Sequence, residues 1–213
     1  MQNKKIVIIS VICLVALFFV GGYIYKNKQN EQIASNVKAN YSALVREYSY
    51  VKGNPNAKVE LVEFLDPACG TCAQFHPYVK EILKQNKGNL KVVYRYAPFH
   101  KNSDEIVKML EASKKQGKYE DVLDLVLVTQ RYWVKNHVGQ LNILWEILLK
   151  SELLDMNKLT DDMKDPKLDA IVKQDLADAK TLGASKTPSF YVNGKPLETF
   201  GLDQLVNLIE SEL

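Results

Sequence analysis

The sequence predicts an α/β domain carried behind a membrane-spanning helix. Three observations predict it: an uncharged apolar run near the amino terminus, a strand–helix–strand pattern between residues 58 and 96, and a helical block of about 80 residues that gives way to a β-hairpin signal. Composition supports a folded chain. Of 213 residues 46% are hydrophobic and 25% charged, with only 10 Gly and 7 Pro, which excludes disordered, collagenous and low-complexity classes. A domain of roughly 180 residues removes about 70% of its unfolded surface from water, so no disulfide or metal is required to hold it together.

The apolar run Ile6 to Tyr25 holds 20 residues without a charge. At ~1.5 Å per residue it reaches about 30 Å, the thickness of a bilayer's hydrocarbon core. Lys4 and Lys5 precede it and favour a cytoplasmic amino terminus, while Lys26 and Lys28 on the far side weaken that asymmetry. Residues 1–28 therefore read as a membrane anchor. The alternative is a signal peptide cut near Val20-Gly21-Gly22, but the run exceeds the usual signal core and ends in Tyr23-Ile24-Tyr25, which suits an interface. Either way the rest of the chain is placed outside the cytoplasm, as a periplasmic domain or a released one. Those four lysines are the only charges in residues 1–30, and the remainder carries 24 basic and 25 acidic residues, a net of −1. Such a body lacks the basic footprint of a nucleic-acid binder.

Residues 29–52 read as a stalk or linker with helical spacing at Val37, Tyr41, Leu44 and Tyr48, ended by the turn Gly53-Asn54-Pro55-Asn56. From Gly53 to the end the pattern is that of one domain. Lys58 to Leu65 is a strand bounded by Asp66-Pro67. Phe75, Val79, Ile82 and Leu83 recur at helical spacing, so Cys69 falls at the first turn of a helix that contains Pro77. Leu90 to Tyr96 is a second strand, and the β-α-β order makes the two strands parallel neighbours. A helical insertion covers about 102–182: one start is capped near Asn102 or Ser103, apolar stripes follow at Lys118 to Gln130 and Leu141 to Leu149, and a last helix runs from Asp165-Pro166 to Gly183. Ser189 to Leu197 then reads as a hairpin about Asn193-Gly194, since that dipeptide suits a turn with positive φ at both central residues. Leu202 to Leu213 is an amphipathic helix.

Three cysteines are present, and Cys13 lies inside the apolar run as a small hydrophobe. The exported part holds only Cys69 and Cys72, in Cys69-Gly70-Thr71-Cys72. A disulfide two residues apart closes almost no loop and removes little chain entropy, so the pair reads as reactive rather than structural. A zinc site from Cys69, Cys72 and His76 is disfavoured, because the helix carries the imidazole past the thiols. His76, His100 and His137 read as surface or loop residues, and Trp133 and Trp145 as core of the helical block.

A strand, a C-x-x-C at a helix start, a second strand, a helical block, then Thr187-Pro188 ahead of a hairpin and a final helix make up a thioredoxin fold with a helical insertion. From Gly53 onward the sequence resembles the DsbA-like thiol:disulfide oxidoreductases, particularly their membrane-anchored or secreted bacterial branch. The likeness rests on Gly53-Asn-Pro-Asn-Ala-Lys-Val59, Val62-Glu63-Phe64, Gln116-Gly117-Lys118-Tyr119, Leu182-Gly183 and Lys186-Thr187-Pro188-Ser189-Phe190-Tyr-Val-Asn193-Gly194.

Position assigns the chemistry. The thiolate is the nucleophile, and a helix N-terminus lowers a thiol's pKa from about 8.5 to roughly 3.5–7.5, which makes Cys69 the attacking sulfur. Cys72, one turn in, resolves a mixed disulfide on Cys69 or leaves when a substrate thiolate attacks it. The resemblance implies that Pro188 follows a cis peptide bond and faces the cysteines, so that Thr187 offers its backbone to an extended substrate. It also implies that Glu63 is a buried acid beneath the pair, able to relay a proton to Cys72; an exposed strand glutamate like Glu60 is the alternative. Gly70-Thr71 stands where the strongly oxidising relative has Pro-His, so Cys69 should be less acidic and the couple less oxidising.

No cofactor is implied. The partners implied are exported protein thiols or disulfides, a membrane redox partner for recycling, and the membrane itself through Ile6–Tyr25. Three functions follow: a disulfide donor to exported proteins, a reductase or isomerase kept reduced by a membrane donor, or an anchored chaperone or adaptor whose cysteines are incidental.

Overall fold

The computed structural model describes residues 2–213. One long helix, α1 (Gln2–Ala39), leads into the domain and runs unbroken through Gly21-Gly22. Its residues 6–29 are exposed on every side, and an 18-residue stretch within it has a mean hydropathy of 2.7, long and apolar enough to cross a membrane.

Residues 29–52, read as a stalk with helical spacing, are helical in their first part and pack on the domain. Helix α1 continues to Ala39, a 3₁₀ turn follows at Tyr41–Ala43, and β1 (Tyr50–Gly53) joins the sheet. Val37, Ala43 and Leu44 are buried in the domain's core, so this stretch is structural and not a free tether. The physical reason is non-local: β1 pairs antiparallel with a strand some 40 residues onward, from Tyr50 opposite Tyr94 to Gly53 opposite Lys91. Gly53 itself has φ +108°, and a Cβ there would meet the Leu90 carbonyl oxygen at 2.7 Å.

The remaining elements are β2 (Val59–Leu65), α2 (Gly70–Gln85), β3 (Leu90–Tyr96), α3 (Ser103–Ser113), α4 (Tyr119–Val128), α5 (Gln130–Trp133), β4 (Val134–Lys135), β5 (Val138–Gly139), α6 (Leu141–Ser151), α7 (Met156–Asp162), α8 (Lys167–Leu182), β6 (Ser189–Val192), β7 (Lys195–Pro196) and α9 (Leu202–Glu210). The main sheet has the order β1-β3-β2-β6-β7. Strands β2 and β3 are parallel, as their helical crossover demands, and the other pairs are antiparallel. Asn193 and Gly194 both adopt positive φ, 48° and 80°, in the β6–β7 turn.

The two central strands are buried on both faces, and strand alternation sorts their side chains. Leu61, Leu65, Val92 and Tyr96 face the larger core, shared with α2 and the helical insertion. Val62, Phe64 and Val93 face a second core closed by Val37, Leu44, Ala179 and Leu182. The same alternation puts Glu63 on the α2 side and Arg95 on the α8 side. Arg95 is fully buried there. Its guanidinium donates to Asp175 Oδ1 and Asp178 Oδ2, both at 2.7 Å, and to the carbonyls of Ala43 and Leu44.

Within the insertion, two elements lie beyond the apolar stripes. Helix α7 starts on Asp155, whose carboxylate accepts from the amides of Asn157 and Lys158. Strands β4 and β5 form a small ribbon about Asn136 and His137, both at positive φ. Trp133 is fully buried, with its indole N–H donating to the Val126 carbonyl.

Candidate active site

The site forms where β2 ends and α2 begins. Cys69 is the N-cap residue of α2, in extended conformation (φ −80°, ψ 118°), so its side chain stands at the positive end of a 16-residue helix. Gly70 and Thr71 form the first turn and Cys72 follows, fully buried. Both cysteines are free thiols. The Cys69 thiol donates to the Thr187 carbonyl at 3.2 Å, bringing the C-x-x-C together with the residue ahead of Pro188 across 118 positions of sequence. The Thr187-Pro188 peptide bond is cis.

The two sulfurs sit in opposite electrostatic conditions. Cys69 is held well below an ordinary thiol, at about 5. The largest cause is a hydrogen bond with the Cys72 side chain; partial burial opposes it, and the Thr187 side chain and the amides of Cys72 and Thr71 add to the lowering. Cys72 is pushed up, first by burial and then by that same hydrogen bond, in which it is the donor. Its sulfur also accepts the Asp66 amide at 3.5 Å. One sulfur is thus an anion near neutral pH while its neighbour keeps a proton.

Glu63 lies on the face of β2 that α2 covers, with 1% of its surface exposed. Its Oε2 has no hydrogen-bond partner. Burial raises its carboxyl to about 8, and the negative charge on Cys69 adds to the rise. A carboxylic acid of that kind, beside a thiol that it influences electrostatically, can exchange a proton near neutral pH.

Two residues of the site carry no signal in the sequence. Asp66, which reads there as a turn residue, is wholly buried, and its carboxylate accepts from the amides of Ala68, Phe99 and His100 and from Ser103 Oγ. His100 Nδ1 lies 2.6 Å from the same carboxylate, and the His100 ring stacks on His137 at 5.5 Å. Gln130, on the insertion, donates from Nε2 to the carbonyls of Pro67 (2.7 Å) and Cys69 (3.0 Å). An Asp before Pro announces a turn, not the four donors that gather on it. Nothing local marks Gln130.

His76, expected at the surface or in a loop, is instead buried on α2, because the helix turns it toward α4, where its Nε2 lies 2.6 Å from Asp124 Oδ1. Among the described residues no group of three or more His, Cys, Asp or Glu side chains is arranged to hold a metal ion.

A sequence profile described as Thioredoxin matches residues 46–211. The chain belongs to the thioredoxin family. Among solved structures, this thioredoxin-family chain is similar to a thioredoxin-like oxidoreductase from Silicibacter pomeroyi DSS-3, at 28% identity and TM-score 0.69, covering 81% of this chain and 96% of that one. The thiol-disulfide exchange protein alpha-DsbA2 from Wolbachia pipientis shares the fold at 21% identity and TM-score 0.71, covering 86% of this chain and 97% of that one. The thioredoxin fold that the sequence implies is therefore shown. Curated relatives include a Na(+)/H(+) antiporter NhaA of Herminiimonas arsenicoxydans, 29% identical over 152 residues, or 71% of this chain. The chain spans about a quarter of that protein's length, 23%.

Proposed function

We propose that this protein is a thiol:disulfide oxidoreductase that donates the Cys69–Cys72 disulfide to cysteines of exported proteins, held at the membrane by Ile6–Tyr25 and reoxidised by a membrane redox partner. The observation that carries the reading is the placement of the two sulfurs, Cys69 at the start of α2 and 3.2 Å from the Thr187 carbonyl, Cys72 fully buried one turn in, which lowers the first thiol and holds the second protonated. Stabilising the Cys69 anion stabilises the reduced state and makes the disulfide a better oxidant. The Cys69 thiol is lowered by Cys72, Thr187 and the amides of the helix start, with no histidine between the cysteines to add to the effect.

In the oxidised enzyme a substrate thiolate attacks Cys69 Sγ; the Cys69–Cys72 bond breaks, and Cys72 leaves with the electron pair. Glu63, protonated near neutral pH, supplies the proton that Cys72 takes up. A second substrate thiolate then attacks the substrate's own sulfur in the mixed disulfide and releases Cys69 as the stabilised anion. The substrate loses two electrons and the couple gains them. Thr187 offers its backbone to an extended substrate beside the sulfur.

The test is the redox state of the pair in growing cells by thiol alkylation, with a Cys72→Ser variant to trap mixed disulfides on Cys69. A disulfide form and trapped exported proteins are expected. A dithiol form at steady state would assign a reductase or isomerase instead, and the absence of any trapped thiol would favour an adaptor.

A further inference from the structure

The carboxy-terminal turns of α1 reach the site. Along that helix residues 6–29 are exposed, and the first positions drawn toward the domain are Asn30, Ile33 and Val37, spaced as one helical face. Asn30 Nδ2 donates to Glu198 Oε2 at 2.9 Å, and Asn36 Nδ2 to the Thr181 carbonyl at 3.4 Å. Ile33 packs against Gly183, where a Cβ would come within 3.5 Å of its Cγ1.

This face borders a cleft of about 470 Å³, with Asn30 and Ile33 on one side and Thr71, Thr187 and Pro188 on another. Leu197 and the half-exposed Phe200 extend its apolar lining. The cleft therefore opens on the backbone that a substrate would pair with. An extended segment bound at Thr187 alternates its side chains, so the set on one face enters the cleft.

We propose that the end of α1 is one wall of the substrate groove: Ile33 contacts an apolar side chain beside the reacting cysteine, and the Asn30–Glu198 bond closes the far end. This rests on the oxidoreductase reading and adds to it a specificity-determining residue outside the thioredoxin-profile region, which begins at residue 46. It holds whether the amino terminus is retained or cut near Val20-Gly22, because residues 30–39 stay in either case. On the retained chain Ile33 lies eight residues past Tyr25, or about 12 Å along the helix, so the groove opens close to the bilayer surface.

The experiment uses the full chain in detergent micelles, oxidised, with two dithiol peptides that differ only in Leu or Gly beside the cysteine. Each rate is divided by the same variant's rate with dithiothreitol, which is too small to fill the cleft. Wild type should prefer the Leu peptide, and Ile33→Ala should reduce that preference roughly tenfold, since each apolar carbon in such a pocket contributes strongly to discrimination. Ile33→Phe, which keeps an apolar contact with the domain while filling the cleft, should slow the Leu peptide more than the Gly peptide. An unchanged Leu-to-Gly ratio in both variants would overturn the proposal and leave the oxidoreductase reading standing. Failure of wild type to exchange with dithiothreitol at all would overturn both.

Discussion

Gln130, on the helical insertion, donates to the backbone carbonyl of Cys69 at 3.0 Å, tying the start of α2 to an element more than sixty residues away in sequence. The same amide holds the Pro67 carbonyl, so the loop that presents the sulfur is braced by the insertion. Replacing Gln130 with alanine removes the side-chain donor to the Pro67 carbonyl and leaves the Cys69 carbonyl with the Ala73 amide alone. Gln130→Ala should cost about 1–3 kcal/mol of stability and lower exchange rates, measured by denaturant midpoint and by dithiol turnover.

The acidity of Cys69 rests first on Cys72. Ultraviolet absorbance of the thiolate should titrate with a midpoint of about 5 in the reduced protein. In Cys72→Ala the midpoint should move up toward the ordinary thiol value, because the largest stabilising contact is gone while the helix amides remain. A midpoint unmoved by that change would assign the effect to the helix end alone.

Two opposed pH dependences of stability follow from the site. The Glu63 carboxyl is raised in the folded state, so between about 4.5 and 8 the native protein holds a proton that the unfolded chain has released, and stability falls as pH rises through that window. Glu63→Gln should flatten that fall. Cys69 is lowered, so from about 5 to 9 the unfolded chain holds the extra proton and stability rises with pH, an effect fully present only above the unfolded value. Cys69→Ser should remove that rise. Denaturant unfolding of the reduced protein and both variants at pH 5, 6.5 and 8 separates the two contributions.

Arg95, Asp175 and Asp178 form a buried charge network, joined by Arg46 and Tyr48. Removing Arg95 leaves the buried Asp175 without its cation, while Asp178 keeps only Arg46 as its cation. Arg95→Met should cost about 3–5 kcal/mol, whereas replacing Arg95, Asp175 and Asp178 together by apolar residues of similar volume should recover much of that loss. Thermal denaturation of the two variants against wild type decides it.

Legibility in the sequence followed the range of the interactions. The Val59–Leu65 and Leu90–Tyr96 strands are β-rich runs closed by turn residues, and Asn193-Gly194 marks its hairpin by conformational demand alone. Cys69 and Cys72 are legible because helix start and thiol chemistry coincide within four residues. Tyr50–Gly53 is not, since a four-residue strand is defined by pairing with β3 rather than by its own pattern. Helix α7 had a local cue in Asp155 that the apolar periodicity overshadowed. Asp66 and Gln130 were beyond reach for the same reason as β1: their partners are set by tertiary packing. Glu63 was legible only as a resemblance, because a charged residue inside an apolar strand reads equally well as a solvent-facing one.

The continuity of α1 from the apolar run into Ile33 and Val37 makes the domain turn with the rod that bears it. No joint uncouples them. Each residue added between Tyr25 and Asn30 would swing the Cys69 sulfur by about 100° around the rod's axis while lifting it only about 1.5 Å, so the compass bearing of Cys69 is set far more sharply than its altitude.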